Sequence, residues 1–268
     1  MNAGLIAGVV GVLAVAAATR GHDTWVQTNT NVYRVGDVVH VDLLLGNHGN
    51  EHRDFKMAGK PSLADPKATL EVVGPDGKRT DLKAAATDQG LGPKEGFQTA
   101  RFSPGAAGLY TVVSTSDKVV DYAPKRSVKS AKAFFVASKS LDKVPEGNPG
   151  FDKEYGHALE LVPLTNPVTP MGPGTKMKVK LLYKGKPMTG AAVSFIPRGV
   201  KLAEEFDEKY ERKTDVDGVA SFEFPDGNYY LVVAHHEDAA DKGEKHESTK
   251  YSATVCVYVP ALCPCCAE

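Results

Sequence analysis

The chain has few cysteines, and their distribution excludes a disulfide scaffold. All four lie in the last thirteen residues, whereas a disulfide-stabilised fold spreads its cysteines along the chain. An excess of one charge is also missing, since 32 Lys and Arg face 33 Asp and Glu and the net charge is −1. A global basic field for nucleic acid is therefore absent. With 42% hydrophobic and 24% charged residues, the composition is that of an ordinary globular protein.

Long apolar runs are missing except at the N-terminus. Residues 3–18 carry no charge and consist almost wholly of Ala, Val, Leu, Ile and Gly. These sixteen residues fall short of the ~20 that span a bilayer as a helix, and they fit the apolar part of a secretory signal. Cleavage can follow Ala18 or Gly21. We predict a signal peptide over 1–21 and a periplasmic or secreted protein, with an uncleaved membrane anchor as the alternative.

Catalytic signatures are missing as well. The sequence contains no G-x-S-x-G, P-loop, H-E-x-x-H or EF-hand pattern, which leaves hydrolase, nucleotide and calcium functions without support. We therefore predict no enzyme activity and no small organic cofactor.

What is present is β-strand patterning. Residues 39–45 have a period of two, in which Val39, Val41, Leu43 and Leu45 alternate with His40, Asp42 and Leu44. Residues 109–113 are rich in β-branched and aromatic side chains. Turn signals such as Gly-Pro-Asp-Gly at 74–77 separate such stretches. Only residues 202–213, dense in Glu and Lys, are predicted to be helical. Short strands at regular spacing favour an all-β fold, in this case two antiparallel Ig-like or transthyretin-like sandwiches in tandem after the signal peptide.

The predicted organisation follows from composition. Residues 22–138 form the first sandwich, and the polar, Pro- and Gly-containing stretch 139–154 is a linker. Residues 155–260 form the second sandwich, and 261–268 are a Cys-rich tail. In that tail Cys265 and Cys266 are too close for an unstrained bridge. A disulfide from Cys256 to a tail cysteine, or an intermolecular link, is favoured over a thiolate metal cluster, because an exported protein meets oxidising conditions.

The eight histidines are the main chemical resource of the chain. If cleavage follows Gly21, His22 offers its α-amine and Nδ1 to one metal ion, and one more imidazole completes a three-nitrogen set suited to Cu(II) or Ni(II). His48 and His52 lie four residues apart in a Gly- and Asn-rich loop, which can bring both rings to one ion or can simply be a solvated loop. On a strand, His235 and His236 point to opposite faces. His40 alternates with core valines, so we expect it to be exposed.

Three stretches together resemble a known family. They are Gly-His-Asp-Thr-Trp at 21–25, Gly-His-Ala-Leu-Glu-Leu-Val-Pro-Leu at 156–164, and Leu-Tyr-Lys-Gly-Lys-Pro at 182–187 with the Asp-Gly turn at 217–218. The set is similar to exported domains known as the periplasmic component of nickel or cobalt uptake, or the nickel uptake substrate-specific transmembrane region. The third stretch also resembles carboxypeptidase regulatory-like and transthyretin-like modules. The resemblance implies a mature chain that begins at His22, a role for His48, and a membrane metal-uptake system as partner.

These observations lead to one principal hypothesis and two alternatives. The principal one is an exported protein that binds nickel, cobalt or copper through His22 and His48, with His52 or His157 as further ligands. Its affinity should fall below pH ~6.5, because the ligands must be unprotonated. The first alternative is a cell-surface structural or interaction protein of Ig-like modules without a metal role. The second, an oxidative copper enzyme, has little support because a single Trp provides no aromatic substrate platform.

Overall fold

A computed structural model describes residues 22–48, 62–92, 95–120, 122–145 and 147–261. The described residues form strands and two 3-10 turns, Ser62–Ala64 and Lys83–Ala85. The strands are β1 (Asp23–Thr28), β2 (Val32–Arg34), β3 (Val39–Gly46), β4 (Thr69–Val73), β5 (Arg79–Asp81), β6 (Thr87–Gly92), β7 (Glu95–Phe102), β8 (Gly108–Val119), β9 (Lys125–Ser138), β10 (Leu159–Pro163), β11 (Lys176–Tyr183), β12 (Lys186–Pro187), β13 (Ala192–Pro197), β14 (Glu211–Lys213), β15 (Val219–Glu223), β16 (Asn228–Asp238) and β17 (Ser248–Val259). The prediction of an all-β chain is confirmed.

One nine-stranded sheet contains strands from both halves of the chain. Its order is β14-β13-β16-β17-β9-β8-β4-β5, and β2 also pairs with β9. The halves meet where β17 runs parallel to β9, from Ser248 opposite Lys125 to Cys256 opposite Ala133. The described residues of the boundary at 139–154 contain no strand. The division into separate sandwiches stays a prediction, because β17 and β9 join the two halves by backbone hydrogen bonds.

A smaller sheet covers each face of this shared sheet. The order of the first is β1-β3-β7-β6, and the second is built from β10, β11, β12 and β15. Because side chains alternate along β9, Phe135 lies in the core beneath the first small sheet. Its neighbour Phe134 lies in the core beneath the second. The fold therefore has three layers and two cores on opposite faces of one sheet.

The predicted helix at 202–213 is wrong. These residues form an irregular loop that ends in β14. The Asp207 carboxylate accepts hydrogen bonds from the backbone N–H groups of Ala203, Lys209 and Tyr210, at 3.0, 2.9 and 3.1 Å. An Asp side chain that binds nearby backbone groups competes with helix formation. The loop is held further by burial of Leu202 and Tyr210 in the core.

The strands bear on two other sequence expectations. His40 is exposed on β3, as predicted. Cys256 lies on β17 with a free, buried thiol whose pKa burial raises to about 12. The thiol is enclosed in the core under the first small sheet, and its predicted disulfide partners in the tail lie outside the described residues.

Candidate metal centre

Strand pairing brings the regions of His22 and His48 to the same end of the first small sheet. Strands β1 and β3 are antiparallel, and their last pair is Asp23 opposite Gly46. His22 precedes this pair and His48 follows it by two residues. Directly opposed residues of an antiparallel pair share a face, so His48 lies on the face of Asp23 and Trp25. Strand pairing therefore brings the two backbone positions to one end of the sheet, and ligation of one ion by both residues stays a prediction.

The His48 ring is held rigidly by contacts with the C-terminal half. The residue is 2% exposed, and its Nδ1 lies 2.9 Å from the Ile196 carbonyl oxygen. Its own carbonyl accepts a hydrogen bond from the Gly199 N–H at 3.0 Å. The Trp25 ring packs edge-on against the imidazole, with centroids 5.6 Å apart. One residue of the N-terminal half is therefore anchored at the end of β13.

These contacts fix the chemical state of His48. Because a carbonyl only accepts, Nδ1 carries the proton and Nε2 carries the lone pair. Burial, followed by the charge of Arg198, lowers the pKa of His48 to about 3, so the ring is neutral at physiological pH. Nε2 is buried and has no hydrogen-bond partner among the described residues. A metal-binding histidine has this arrangement, with one ring nitrogen bonded to a carbonyl and the other free to coordinate.

His22 is exposed, and its backbone is anchored. Its carbonyl oxygen accepts a hydrogen bond from Lys129 Nζ at 3.1 Å, and Lys129 also donates to the Thr24 hydroxyl at 3.1 Å. At Thr24 itself, the backbone carbonyl accepts a hydrogen bond from the Thr254 hydroxyl at 2.8 Å. The start of β1 is thereby held against β9 and β17.

Asp23 and His235 form an ion pair that the sequence patterns did not reveal. His235 Nε2 lies 2.7 Å from Asp23 Oδ1. Burial lowers the pKa of His235, but the charge of Asp23 and the hydrogen bond outweigh it, so the pKa is raised. The next residue, His236, packs instead against Tyr183 on the other face, with ring centroids 4.4 Å apart. The prediction that the adjacent histidines point to opposite faces is confirmed. This alternation is the sequence signal that separates His235 from His236 as the residue facing β1.

His157 belongs to a different cluster. Its ring stacks on Tyr155 with centroids 6.0 Å apart, and burial lowers its pKa to about 4. The Glu160 carboxylate accepts hydrogen bonds from the backbone N–H groups of Tyr155, Gly156 and His157, at 2.7, 2.9 and 3.0 Å. The same carboxylate accepts one from Lys132 Nζ at 2.5 Å. Glu160 therefore holds the backbone of residues 155–157, and the His157 ring packs on Tyr155 of the same loop.

The predicted ligand set is thus only partly assembled. His52 lies outside the described residues. Across the described ranges, no group of three or more His, Cys, Asp or Glu side chains is arranged to hold a metal ion. The feature that fits a metal is the orphaned Nε2 of His48, which lies close to the start of β1.

The protein is all-β, and its candidate site lies where His22 precedes β1 and His48 follows β3. The chain belongs to a family described as Domain of unknown function (DUF4198), whose profile matches residues 19–238. No curated protein matches the chain. In the described part of the chain, no helix has the length and apolar character needed to cross a membrane.

Solved structures give only distant similarity. The D0-D1 domain of Intimin is 12% identical, with 87% of this chain and 96% of that chain covered and a TM-score of 0.24. An alpha-2-macroglobulin from Salmonella is 16% identical, with coverage of 89% and 15% and a TM-score of 0.27. A DUF4785 family protein from Legionella pneumophila is 11% identical, with coverage of 78% and 50% and a TM-score of 0.27. At these TM-scores the similarities carry no argument about function.

Proposed function

We propose that this protein is an exported binding protein for one divalent transition-metal ion, and that it serves metal uptake or delivery. The supporting observation is His48, a neutral imidazole whose Nδ1 donates to the Ile196 carbonyl and whose Nε2 has no partner among the described residues. A ring preset in this tautomer pays no proton-release penalty on binding a metal. The proposal includes the nickel or cobalt uptake role, the transthyretin-like C-terminal module and the membrane uptake partner that the family resemblance implies.

His22 supplies the rest of the ligand set in this proposal. If the signal peptide is removed after Gly21, the new α-amine lies at the start of β1, at the end of the sheet where His48 follows β3. The amine and the His22 ring then act as a chelate, and His48 Nε2 adds a third nitrogen. Among the divalent ions, nitrogen donors bind nickel and copper more tightly than cobalt. Binding rather than turnover is the activity proposed.

Calorimetric titration with Ni(II) tests the proposal on mature protein that starts at His22. We expect His48→Ala to weaken affinity at least about tenfold. His40→Ala is the matched control, because His40 is exposed on the same strand, and it should leave affinity within about twofold. A chain extended by one residue before His22 blocks the α-amine chelate and should also bind weakly. Equal affinity of all four proteins would refute the proposal.

The pH dependence separates the two kinds of ligand. The pKa of His48 is about 3, so His48 stays unprotonated between pH 8 and 6. Over the same range an ordinary α-amine and an exposed imidazole gain protons, with pKa values of roughly 7.7–8 and 6.5. Ni(II) affinity should therefore fall from pH 8 to 6 through His22. Affinity that is constant over this range would exclude His22 as a ligand.

The second candidate is a structural or interaction module without metal. The contacts of His48 with Ile196, Gly199 and Trp25 favour it, because they join the N-terminal strand pair to the end of β13. In that case His48→Ala lowers the midpoint of thermal unfolding. The natural chain and the variant then bind Ni(II) equally, or neither binds it. Measuring the two properties on the same variant distinguishes the candidates.

A further inference from the structure

The shared sheet carries an area of charged side chains beside the start of β1. Strand pairing arranges these side chains in two neighbouring rows across β8, β9, β17 and β16. The first row is Ser116, Lys129, Ser252 and His235, and the second is Lys118, Ser127, Lys250 and Glu237. In the first row, Lys129 and His235 contact β1, and side chains two residues apart on a strand share a face. Both rows therefore lie on the β1 side of the sheet, and we call them the cationic face.

The cationic face is open to solvent beside a packed core. Lys118 is exposed, and the side chains of Lys250 and His235 are 40% and 46% exposed. Further along the same strands and on the same face, Val112 and Leu231 are fully buried under the first small sheet. The rows thus begin where the packing of the first small sheet ends.

Positive charge exceeds negative charge on this face. The charged groups of the two rows and their ion-pair partners, apart from His235, are Lys118, Lys125, Lys129, Lys250, Asp23 and Glu237. Four ammonium groups therefore stand against two carboxylates, in a chain whose net charge is −1. Charge concentrated in this way creates a local field that attracts anions.

The positive charges are close enough to act on one another. The Lys129 ammonium donates to two neutral acceptors, the His22 carbonyl and the Thr24 hydroxyl, each at 3.1 Å, and neither bond neutralises its charge. Burial lowers the pKa of Lys129, the charge of Asp23 opposes this effect, and the charge of Lys118 adds to it. An anion that lies across the rows would relieve the repulsion between the two lysines.

The spacing and chemistry of the face indicate the kind of anion. Lys118 and Lys250 lie on opposite sides of β9, roughly 10 Å apart at two strand spacings, so one small oxyanion does not bridge them. The rows contain no Phe, Tyr or Trp, whereas single-stranded nucleic acid binds on stacking rings and amphipathic membrane anchors need an apolar side. What lies between the cations is serine, whose hydroxyl donates to and accepts from sugar hydroxyls.

From the charge surplus, the spacing of the cations and the serines between them, we infer that the cationic face binds an acidic polysaccharide. Carboxylates of separate sugar units face Lys118 and Lys250, and sugar hydroxyls meet Ser127 between them. This inference does not rest on the proposed metal function, because no group in it needs a metal ion.

Sodium polygalacturonate is the probe that tests this site, with neutral dextran as the uncharged comparison. Calorimetric titration uses the full mature protein at pH 7 in physiological salt, with a chelator present so that metal binding cannot contribute. Polygalacturonate should bind saturably and more weakly as salt is raised, and dextran should not bind. Equal binding of dextran would refute the site. Tighter binding of oligo(dT), or of vesicles that contain phosphatidylglycerol, would overturn the assignment to a polysaccharide.

Variants locate the binding on the cationic face. The double variant Lys118→Gln and Lys250→Gln should weaken polygalacturonate binding at least about tenfold, since it removes two charged partners. The matched control is Lys176→Gln with Lys178→Gln, because these lysines are exposed on β11 of the other small sheet. It removes the same charge and should change affinity by less than about twofold. Equal losses in the two double variants would show that net charge alone governs binding and would refute the site.

A single change tests the same face without removing a lysine. Ser127→Glu places a carboxylate between Lys118 and Lys250, so it should also weaken binding at least about tenfold. It carries the test should the double variant fail to fold. Polygalacturonate affinity that is unchanged by Ser127→Glu would place the ligand elsewhere on the protein.

Discussion

Lys132 on β9 and Glu160 on β10 form an ion pair inside the protein, with Nζ 2.5 Å from Oε1 and both side chains at most 2% exposed. Lys132 also donates to the Leu161 carbonyl at 3.1 Å, and Glu160 accepts three backbone hydrogen bonds from the 155–157 loop. The pair therefore fixes the start of the second small sheet on the shared sheet. Its energetic value depends on every charge and lone pair being satisfied.

Removing one partner of this pair should destabilise the protein strongly. Glu160→Gln leaves the Lys132 ammonium buried without a counter-charge, and we expect a loss of about 3–5 kcal/mol in the free energy of unfolding. Urea denaturation measures it. Lys125→Met is the control, because it breaks the exposed pair between Lys125 and Glu237, and should cost less than about 1 kcal/mol. Similar losses from both variants would show that burial of the first pair has no special role.

The neutral state of His48 predicts acid sensitivity of the metal-free protein. Its pKa is lowered to about 3 in the fold, against roughly 6.5 when unfolded. Between these values the unfolded state binds more protons, so stability is present above pH 6.5 and is lost as the pH falls toward 3. The contribution is several kcal/mol, at about 1.4 kcal/mol per pKa unit.

His48→Gln tests this prediction because glutamine does not titrate and can still donate to the Ile196 carbonyl. The free energy of unfolding, measured at steps from pH 7 to 4, should fall less steeply in the variant than in the natural chain. The exposed His40→Gln variant should retain the natural slope. If the two variants fall in parallel, the His48 ring is not held neutral by the fold.

The pair of Asp23 and His235 should act in the opposite direction. The pKa of His235 is raised by Asp23 despite burial, so its stabilising effect is complete below pH ~6.5 and is lost as the pH rises through the higher folded-state value. The His235 side chain is 46% exposed, and solvent screening limits the effect to below about 1 kcal/mol.

His235→Gln is the variant that removes this dependence. We expect the difference in unfolding free energy between the natural chain and the variant to shrink from pH 6 to pH 9, as followed by urea denaturation. A difference that grows over this range would contradict the sign of the raised pKa.

The shared sheet predicts that the two cores unfold together. Trp25, the single tryptophan, is buried in the core under the first small sheet. Phe195 is fully buried in the other core, stacked on Phe222 with centroids 4.7 Å apart. Phe195→Ala should destabilise by about 3–5 kcal/mol and lower the denaturation midpoint seen by Trp25 fluorescence.

The matched control is Val216→Ala, because Val216 is 80% exposed in the same half of the chain, and it should leave the midpoint unchanged. The alternative outcome is that Phe195→Ala leaves the midpoint of Trp25 fluorescence unchanged, while circular dichroism shows a second transition at lower denaturant. That outcome would favour two independently folding sandwiches. This experiment therefore decides the domain division that the linker composition predicts.

The strands were predictable because their signal is local. Alternation at residues 39–43 and the β-branched run at 109–113 coincide with β3 and β8, since each residue's face follows from its neighbours. The exposure of His40 and the opposed faces of His235 and His236 follow from the same rule. The failure at 202–213 has the same origin, because Glu and Lys content favours a helix while the bonds made by Asp207 depend on backbone geometry that composition does not reveal.

The sequence by itself determined the all-β architecture, the strand positions and the histidines worth testing, because these depend on periodicity and residue chemistry. Only the tertiary structure decided that β17 pairs with β9 and that His235 contacts Asp23. It also decided that Nε2 of His48 has no hydrogen-bond partner among the described residues. Asp23 and His235 are 212 residues apart, and no local pattern encodes a contact at that distance. Such contacts are selected when whole sheets pack, since burial and hydrogen bonding are then satisfied jointly rather than strand by strand.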